Sequence, residues 1–130
     1  GAIAAAEYVL KVAQYTAASG DLTEWDRLST SDCGFCKNIR EWVSRVYLGG
    51  GHLTGGDFTL EPGSVVATDP SMGIYAVDIP YETAPVHEYD NGGALVVTEA
   101  AGSGIFTLEV MPAVGGWRLL GAAARGPQEP

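Results

Sequence analysis

Cys33-Gly34-Phe35-Cys36 puts two thiols three residues apart where a helix is predicted to begin. That spacing is the geometry of a thiol-disulfide oxidoreductase, because the positive end of a helix dipole favours the thiolate of the first cysteine. A thioredoxin-type site follows a strand in a βαβ unit, whereas here helical residues precede the pair and the strands come later. A zinc site would need further ligands; the only histidines are His52 and His87, and there is no second cysteine pair, so no metal is assigned. Beside the redox reading stand two structural ones, a disulfide closing the first helical turn and a pair of ordinary reduced thiols. Gly34 supplies the backbone freedom that a bridge of this span needs, and loop entropy makes such a bridge worth about 2 kcal/mol. Two cysteines with no odd thiol fit an oxidising compartment.

Gly49-Gly50-Gly51-His52-Leu53-Thr54-Gly55-Gly56 resembles a phosphate-cradling loop in composition only. Such loops run from a strand into a helix N-terminus, where free N–H groups face the anion. This run leaves a helix C-terminus, whose carbonyls are negative, and lacks the Gly-Lys-Ser/Thr ending. It reads as a flexible helix-to-strand connection, with His52 a solvated loop residue. Asp57, Asp78, His87 and the tyrosines are the candidates for acid–base work, which requires a carboxylate or imidazole in a pocket. Strand alternation sends Asp78 and Glu82 to the face opposite Tyr75 and Tyr81, toward water. No catalytic residue and no cofactor is therefore assigned. Tyr15, Trp42, Tyr75, Tyr81, Phe106 and Trp117 are the aromatics expected between helices and sheet, as core and as the lining of any ligand pocket there.

The elements that must position these residues follow from two periodicities. Ile3, Ala6, Leu10, Ala13 and Ala17 recur at helical spacing, with Tyr8, Val12 and Tyr15 widening the stripe, and Gly20 ends that helix. Asp21 and Glu24 form a capping-box pattern ahead of Trp25 and Leu28. Thr30-Ser31-Asp32 is the expected cap of a third helix, whose apolar stripe is Phe35, Ile39, Trp42, Val43 and Val46 and on whose polar side Glu41 precedes Arg45 by one turn. Beyond the glycines the period becomes two. Short strands are predicted around Phe58–Leu60 and Val65–Val66, and a long one runs from Ile74 to about Glu82 with Tyr75, Val77, Ile79 and Tyr81 on one face. Pro80 within it predicts an edge position or a bulge. Asp90-Asn91-Gly92-Gly93 is a hairpin turn before a strand from Ala94 to Glu99. After a break at Gly102-Ser103-Gly104 come two last strands, containing Phe106, Leu108 and Val110, then Trp117 to about Ala123. No helix separates the strands, so the fold class is α+β: three N-terminal helices packed on a curved antiparallel sheet.

At 130 residues the chain has the size of one domain, expected over 1–124, with 125–130 a flexible C-terminal tail that offers nothing apolar to bury. Apolar residues make up 46% and charged residues 18%, a globular composition. The formal charge of −9 is concentrated: between Val46 and Trp117 there is no Lys or Arg, and nine carboxylates lie there. Such a field argues against nucleic acid, anionic membranes and phosphorylated ligands. No apolar run approaches the roughly 20 residues of a membrane helix, and no segment reads as a signal peptide.

Several features in order resemble an uncharacterised family of actinobacterial cell-envelope lipoproteins with a ketosteroid isomerase/nuclear transport factor-like domain. They are Ala18-Ser19-Gly20-Asp21 closing the first helix, Leu28-Ser29 ahead of Asp32-Cys33 and Cys36, Tyr47 before the paired glycines, and Gly116-Trp117-Arg118 in the last strand. The resemblance spans about Ala5 to Leu119. It implies a cone-shaped domain, an exported and lipid-tethered parent protein whose anchor lies upstream of Gly1, and a Cys33–Cys36 bridge. That family has no activity assigned. Members of the wider superfamily isomerise or dehydrate small molecules when an acid–base pair lines the cone, so a cone-type isomerase or hydratase is the alternative to the leading expectation. The leading expectation is a non-catalytic extracytoplasmic module that binds a small apolar ligand or an envelope protein.

Overall fold

The computed structural model describes residues 1–126. The first apolar stripe forms helix α1 (Ala2–Ser19), which buries Ala5, Ala6, Val9, Leu10, Val12 and Ala13. Tyr8 and Tyr15 do not widen the buried face as expected. Both point outward, where their hydroxyls donate to the carboxylates of Glu24 and Asp21. The chain turns at Gly20, over which the ring of Tyr47 lies, and the Tyr47 hydroxyl donates to the Ala17 carbonyl at 2.6 Å. Helix α2 (Thr23–Leu28) follows without the expected capping box. Asp21 accepts the Thr23 N–H at 3.0 Å, but Glu24 is drawn instead to Arg27 and Tyr8, where three charge-assisted bonds outweigh one backbone donor.

Helix α3 (Gly34–Leu48) is capped by Cys33, whose Sγ accepts the Cys36 N–H at 3.1 Å, and not by Thr30-Ser31-Asp32. Thr30 is occupied elsewhere: its N–H and its hydroxyl both donate to the Leu119 carbonyl at 3.1 Å. Arg45 likewise passes over Glu41 and reaches Glu88 through two bonds of 3.1 Å, since the fork geometry of a guanidinium favours a bidentate carboxylate.

Eight strands follow: β1 (His52–Gly55), β2 (Phe58–Leu60), β3 (Ser64–Asp69), β4 (Ile74–Thr83), β5 (Val86–Tyr89), β6 (Leu95–Glu99), β7 (Gly102–Ala113) and β8 (Gly116–Arg125). All pair antiparallel, in the orders β1-β5-β6 and β2-β4-β7-β8, with β3 also on β4. The two sheets are continuous across a bend. Their breaks fall side by side at Gly56-Asp57, Ala84-Pro85 and Ala100-Ala101, and backbone bonds span the seam from Gly56 N–H to Pro85 O and from Ala84 N–H to Asp57 O, both 3.0 Å. The curved antiparallel sheet expected beside three helices is thus present, with the curvature concentrated at one line.

Several local expectations change. His52 is the first residue of β1 and stacks on Tyr89 with ring centres 4.9 Å apart, so it is not a loop residue. Gly102–Gly104 opens β7, with Gly104 opposite Tyr81. Pro80 lies in a strand paired on both sides, yet its missing donor falls in the gap between β2 and β3, where its carbonyl accepts the Glu61 N–H at 3.0 Å. Arg125 is the last residue of β8 and not part of a loose tail; residues 127–130 lie outside the described residues.

The helices cover the concave side of the sheet. Val77 and Ile79 of β4, Leu108 and Val110 of β7 and Leu119 of β8 are buried against Val9, Leu10, Trp25 and Leu28. On the opposite face Asp78 accepts from Thr107 Oγ1 at 2.6 Å and from Arg125 at 2.7 Å. The Arg125 guanidinium, aided by the Thr107 hydroxyl, holds the Asp78 carboxyl below its usual range although burial pulls the other way. A carboxylate depressed in the folded state contributes stability above its unfolded value, about 4, and loses it as pH falls through the folded value. Arg125→Met is therefore expected to lower the thermal midpoint at pH 6, and that deficit should shrink progressively as the pH falls below about 4, the unfolded value. An unchanged deficit across that range in a thermal melt series would show that the pair does not act through charge.

Candidate functional site

Beneath the bend, between α1, α3 and the seam, the structure leaves a partly open cavity of about 230 Å³. One wall is the α1 stripe Leu10, Ala13, Gln14 and Ala17, whose spacing puts all four on one helix face. A second is Phe35, Ile39 and Trp42 of α3. Leu53 and Gly55 of β1, Phe58 of β2, Tyr81 of β4, Val86 of β5 and Phe106 of β7 complete it from the sheet. Phe106 is the centre of an aromatic cluster: Tyr81 lies 4.3 Å from it between ring centres, while Phe58 at 5.8 Å and Phe35 at 6.2 Å meet it edge-on. Edge-to-face contacts of this kind fix ring orientations and so hold the walls apart at a set distance.

Two of the polar side chains in this lining, Gln14 and Thr83, are engaged within the chain. Gln14 ties α1 to the seam, its Nε2 donating to Asp57 Oδ1 at 3.1 Å and its Oε1 accepting the Phe58 N–H at 3.0 Å. Thr83 Oγ1 accepts the Gly102 N–H at 3.2 Å. Glu99, at the rim, is exposed. The acid–base candidates sit elsewhere: Asp57 on Gln14, Asp78 on Arg125, and His87 with Nδ1 3.0 Å from Thr98 Oγ1. Among the described residues no three His, Cys, Asp or Glu side chains gather to hold a metal ion.

Of the six aromatics expected in a pocket, Trp42, Tyr81 and Phe106 line the cavity. Tyr15 faces solvent, bonded to Asp21. Tyr75 and Trp117 pack on each other, 5.9 Å between ring centres, at the other end of the sheet. Tyr75 and Tyr81 do share the inner face of β4, but six residues of strand separate them by about 20 Å, too far for one small cavity. Phe35, Ile39, Leu10, Ala13, Gln14 and Phe58 are lining residues that the sequence marks only as stripe or strand positions. Gln14 alone has a local signal, a polar side chain on a largely apolar face.

Cys33 and Cys36 form a disulfide, with Cα atoms 5.2 Å apart. Both residues are buried, which shields the bond from an incoming thiolate. The bridge holds the first turn of α3, and with it Phe35, against the cavity. Trp25 braces the same turn: its Nε1 donates to the Cys36 carbonyl at 3.0 Å and its ring meets Phe35 edge-on at 6.1 Å. The motif that looks like redox machinery in sequence occupies a bracing position in the fold.

None of the helices among the described residues is long and apolar enough to cross a membrane. The chain matches no protein-family model and no curated protein. Among solved structures it is similar to the crystal structure of the intermembrane space region of chloroplast protein ARC6, at 14% identity over 95% of this chain and 96% of that one, with a TM-score of 0.68. At that identity the likeness is one of fold, and it is consistent with a compact α+β domain.

Proposed function

We propose that this chain is a non-catalytic binding domain of an exported, lipid-tethered envelope protein, and that the cavity beneath the bend takes a small apolar ligand. The supporting observation is the cavity itself, walled by aromatic and aliphatic side chains, with the exposed Glu99 the one charged residue among the described residues that line it. Such a site rewards burial of apolar surface and offers little to a charged substrate. The extracytoplasmic setting draws on the resemblance described above, and a bridged Cys33–Cys36 pair is compatible with an oxidising compartment. Indole and 1-hexanol are suitable probes of the site. Both are expected to bind saturably and to shift the amide resonances of Ala13, Phe35 and Phe106. Ala13→Leu, which fills the void, should weaken them about tenfold or more, whereas Tyr75→Phe at the far end of the sheet should leave them unchanged. Equal binding to the Ala13→Leu protein would sink this reading.

A second reading, docking of an envelope protein, is favoured by β6. This outermost strand leaves Leu95, Val96 and Val97 about half exposed, at 56%, 52% and 46%, with neither Lys nor Pro along it to discourage strand addition. Val97→Lys should then abolish co-purification of the partner while sparing probe binding in the cavity. Retention of the partner by that variant would remove β6 from consideration.

A further inference from the structure

A second concavity, of about 470 Å³ and open to solvent, lies on the helical side of the molecule between the α2–α3 connection, α3 and β8. Its chemistry is opposite to that of the cavity. The chain has only seven Lys and Arg residues, and three of them, Lys37, Arg40 and Arg118, converge there with Ser31. Arg27, Arg45 and Arg125 are held by Glu24, Glu88 and Asp78. Within the concavity Asp26 is the one carboxylate, and it engages Arg40 at 3.1 Å. Among the described residues Lys37 and Arg118 form no salt bridge, although Arg118 is half-buried, a setting in which an unaccompanied guanidinium gains most from an anion.

The elements carrying these cations are fastened together. Thr30 is doubly bonded to the Leu119 carbonyl, Ser29 bridges to Leu119, and the Cys33–Cys36 disulfide pins the start of α3. Arg118 and Lys37 are therefore presented from a rigid frame, which lowers the entropy lost on binding. None of the nine carboxylates between Val46 and Trp117 lines the concavity, and exposed charges outside it are weakened by salt, which screens over about 8 Å at physiological ionic strength.

We propose that this concavity is a binding site for a doubly charged oxyanion, the phosphate group of a phosphoester. Arg118 and Lys37 are its charged ligands, Arg40 is shared with Asp26, and the Ser31 hydroxyl is a neutral donor. This narrows the expectation, drawn from net charge, that phosphorylated ligands are repelled: the repulsion belongs to the sheet segment. The site stands independently of the apolar cavity.

Titration of the intact chain with inorganic phosphate, followed by amide NMR at a constant ionic strength of about 0.15 M, tests it. Saturable shifts are expected at Ser31, Lys37 and Arg118, with a dissociation constant in the millimolar range; Arg118→Gln and Lys37→Gln should each weaken binding about tenfold, and Lys11→Gln on α1 should not. Lys37 is exposed, so its variant reports even if Arg118→Gln fails to fold. Shifts that do not saturate by about 50 mM phosphate, or equal weakening by Lys11→Gln, overturn the site in favour of unspecific surface charge. Co-sedimentation with vesicles containing phosphatidic acid, whose headgroup is a phosphomonoester, and not with phosphatidylcholine vesicles, that is lost in Arg118→Gln identifies a lipid headgroup as the source of the phosphate. Phosphate binding without such co-sedimentation identifies a soluble phosphoester. Binding to neither overturns the proposal.

Discussion

Replacing Trp25 with alanine is expected to remove about 3–5 kcal/mol of folding stability, the range for truncating a fully buried aromatic. Trp25 has no exposed surface, and its ring sits at the junction of α2 with the first turn of α3. Three contributions are lost together: apolar area, the edge contact to Phe35, and the bond from Nε1 to the Cys36 carbonyl. For a domain of this length the thermal midpoint should fall by about 10–17 °C. Trp25→Phe keeps most of the area and loses the hydrogen bond, so it should cost only about 1–2 kcal/mol. Urea unfolding followed by circular dichroism separates the two variants. A midpoint for Trp25→Ala within experimental scatter of the parent would show that the α2–α3 junction contributes little. Because Phe35 leans on Trp25 and also lines the cavity, the alanine variant should loosen probe binding as well.

Gly55→Ala is the second large effect. Gly55 ends β1 at the seam with φ 78°, and a Cβ there would stand 2.1 Å from the Pro85 carbonyl oxygen. The left-handed conformation alone costs a non-glycine residue about 1–2 kcal/mol. The clash cannot be relieved by a rotamer change, because its partner is backbone of the adjacent strand, so β1 or the seam must move, adding about 1–3 kcal/mol. Gly73 provides the control. It also has positive φ, 69°, but a Cβ there meets nothing within 4 Å. Gly73→Ala should therefore show only the conformational cost, about 1 kcal/mol, and the difference between the two variants measures the close approach at the bend. Equal losses would mean that the seam is not tightly packed.

The two predictions concern the same design. Helices α2 and α3 are braced by Trp25 and the disulfide on one side of the cavity, and the seam is shaped by Gly55 and its close approach to Pro85 on the other. The cavity depends on both walls being held, by Trp25 from outside its lining and by Gly55 within it.

Much of this architecture was legible locally. The three- and four-residue spacing of Ala6, Leu10 and Ala13 in α1, or of Ile39, Val43 and Val46 in α3, states which face of each helix is buried. The two-residue alternation of Val77 and Ile79 against Asp78 states which face of β4 meets the helices. The Asp90–Gly93 turn declares a hairpin leading into β6, and a Gly93 N–H to Asp90 carbonyl bond closes it, although the strand before it, β5, carries no comparable signal. These features depend only on neighbours a few residues away, and such neighbours are visible in a sequence.

What tertiary structure decided is everything that depends on distance between elements. Periodicity assigns Tyr75 and Tyr81 to one face, but only the position of the bend separates them, leaving Tyr81 over a void and Tyr75 against Trp117. Local order pairs Glu41 with Arg45 and makes Arg125 a tail residue, yet folding brings up Glu88 and Asp78, whose geometry is better. The basic concavity is assembled from Lys37 and Arg118, which only the docking of β8 on α3 makes neighbours. A sequence records which surfaces avoid water; where two such surfaces fail to meet, and so leave room for a ligand, is set by how rigid elements stack.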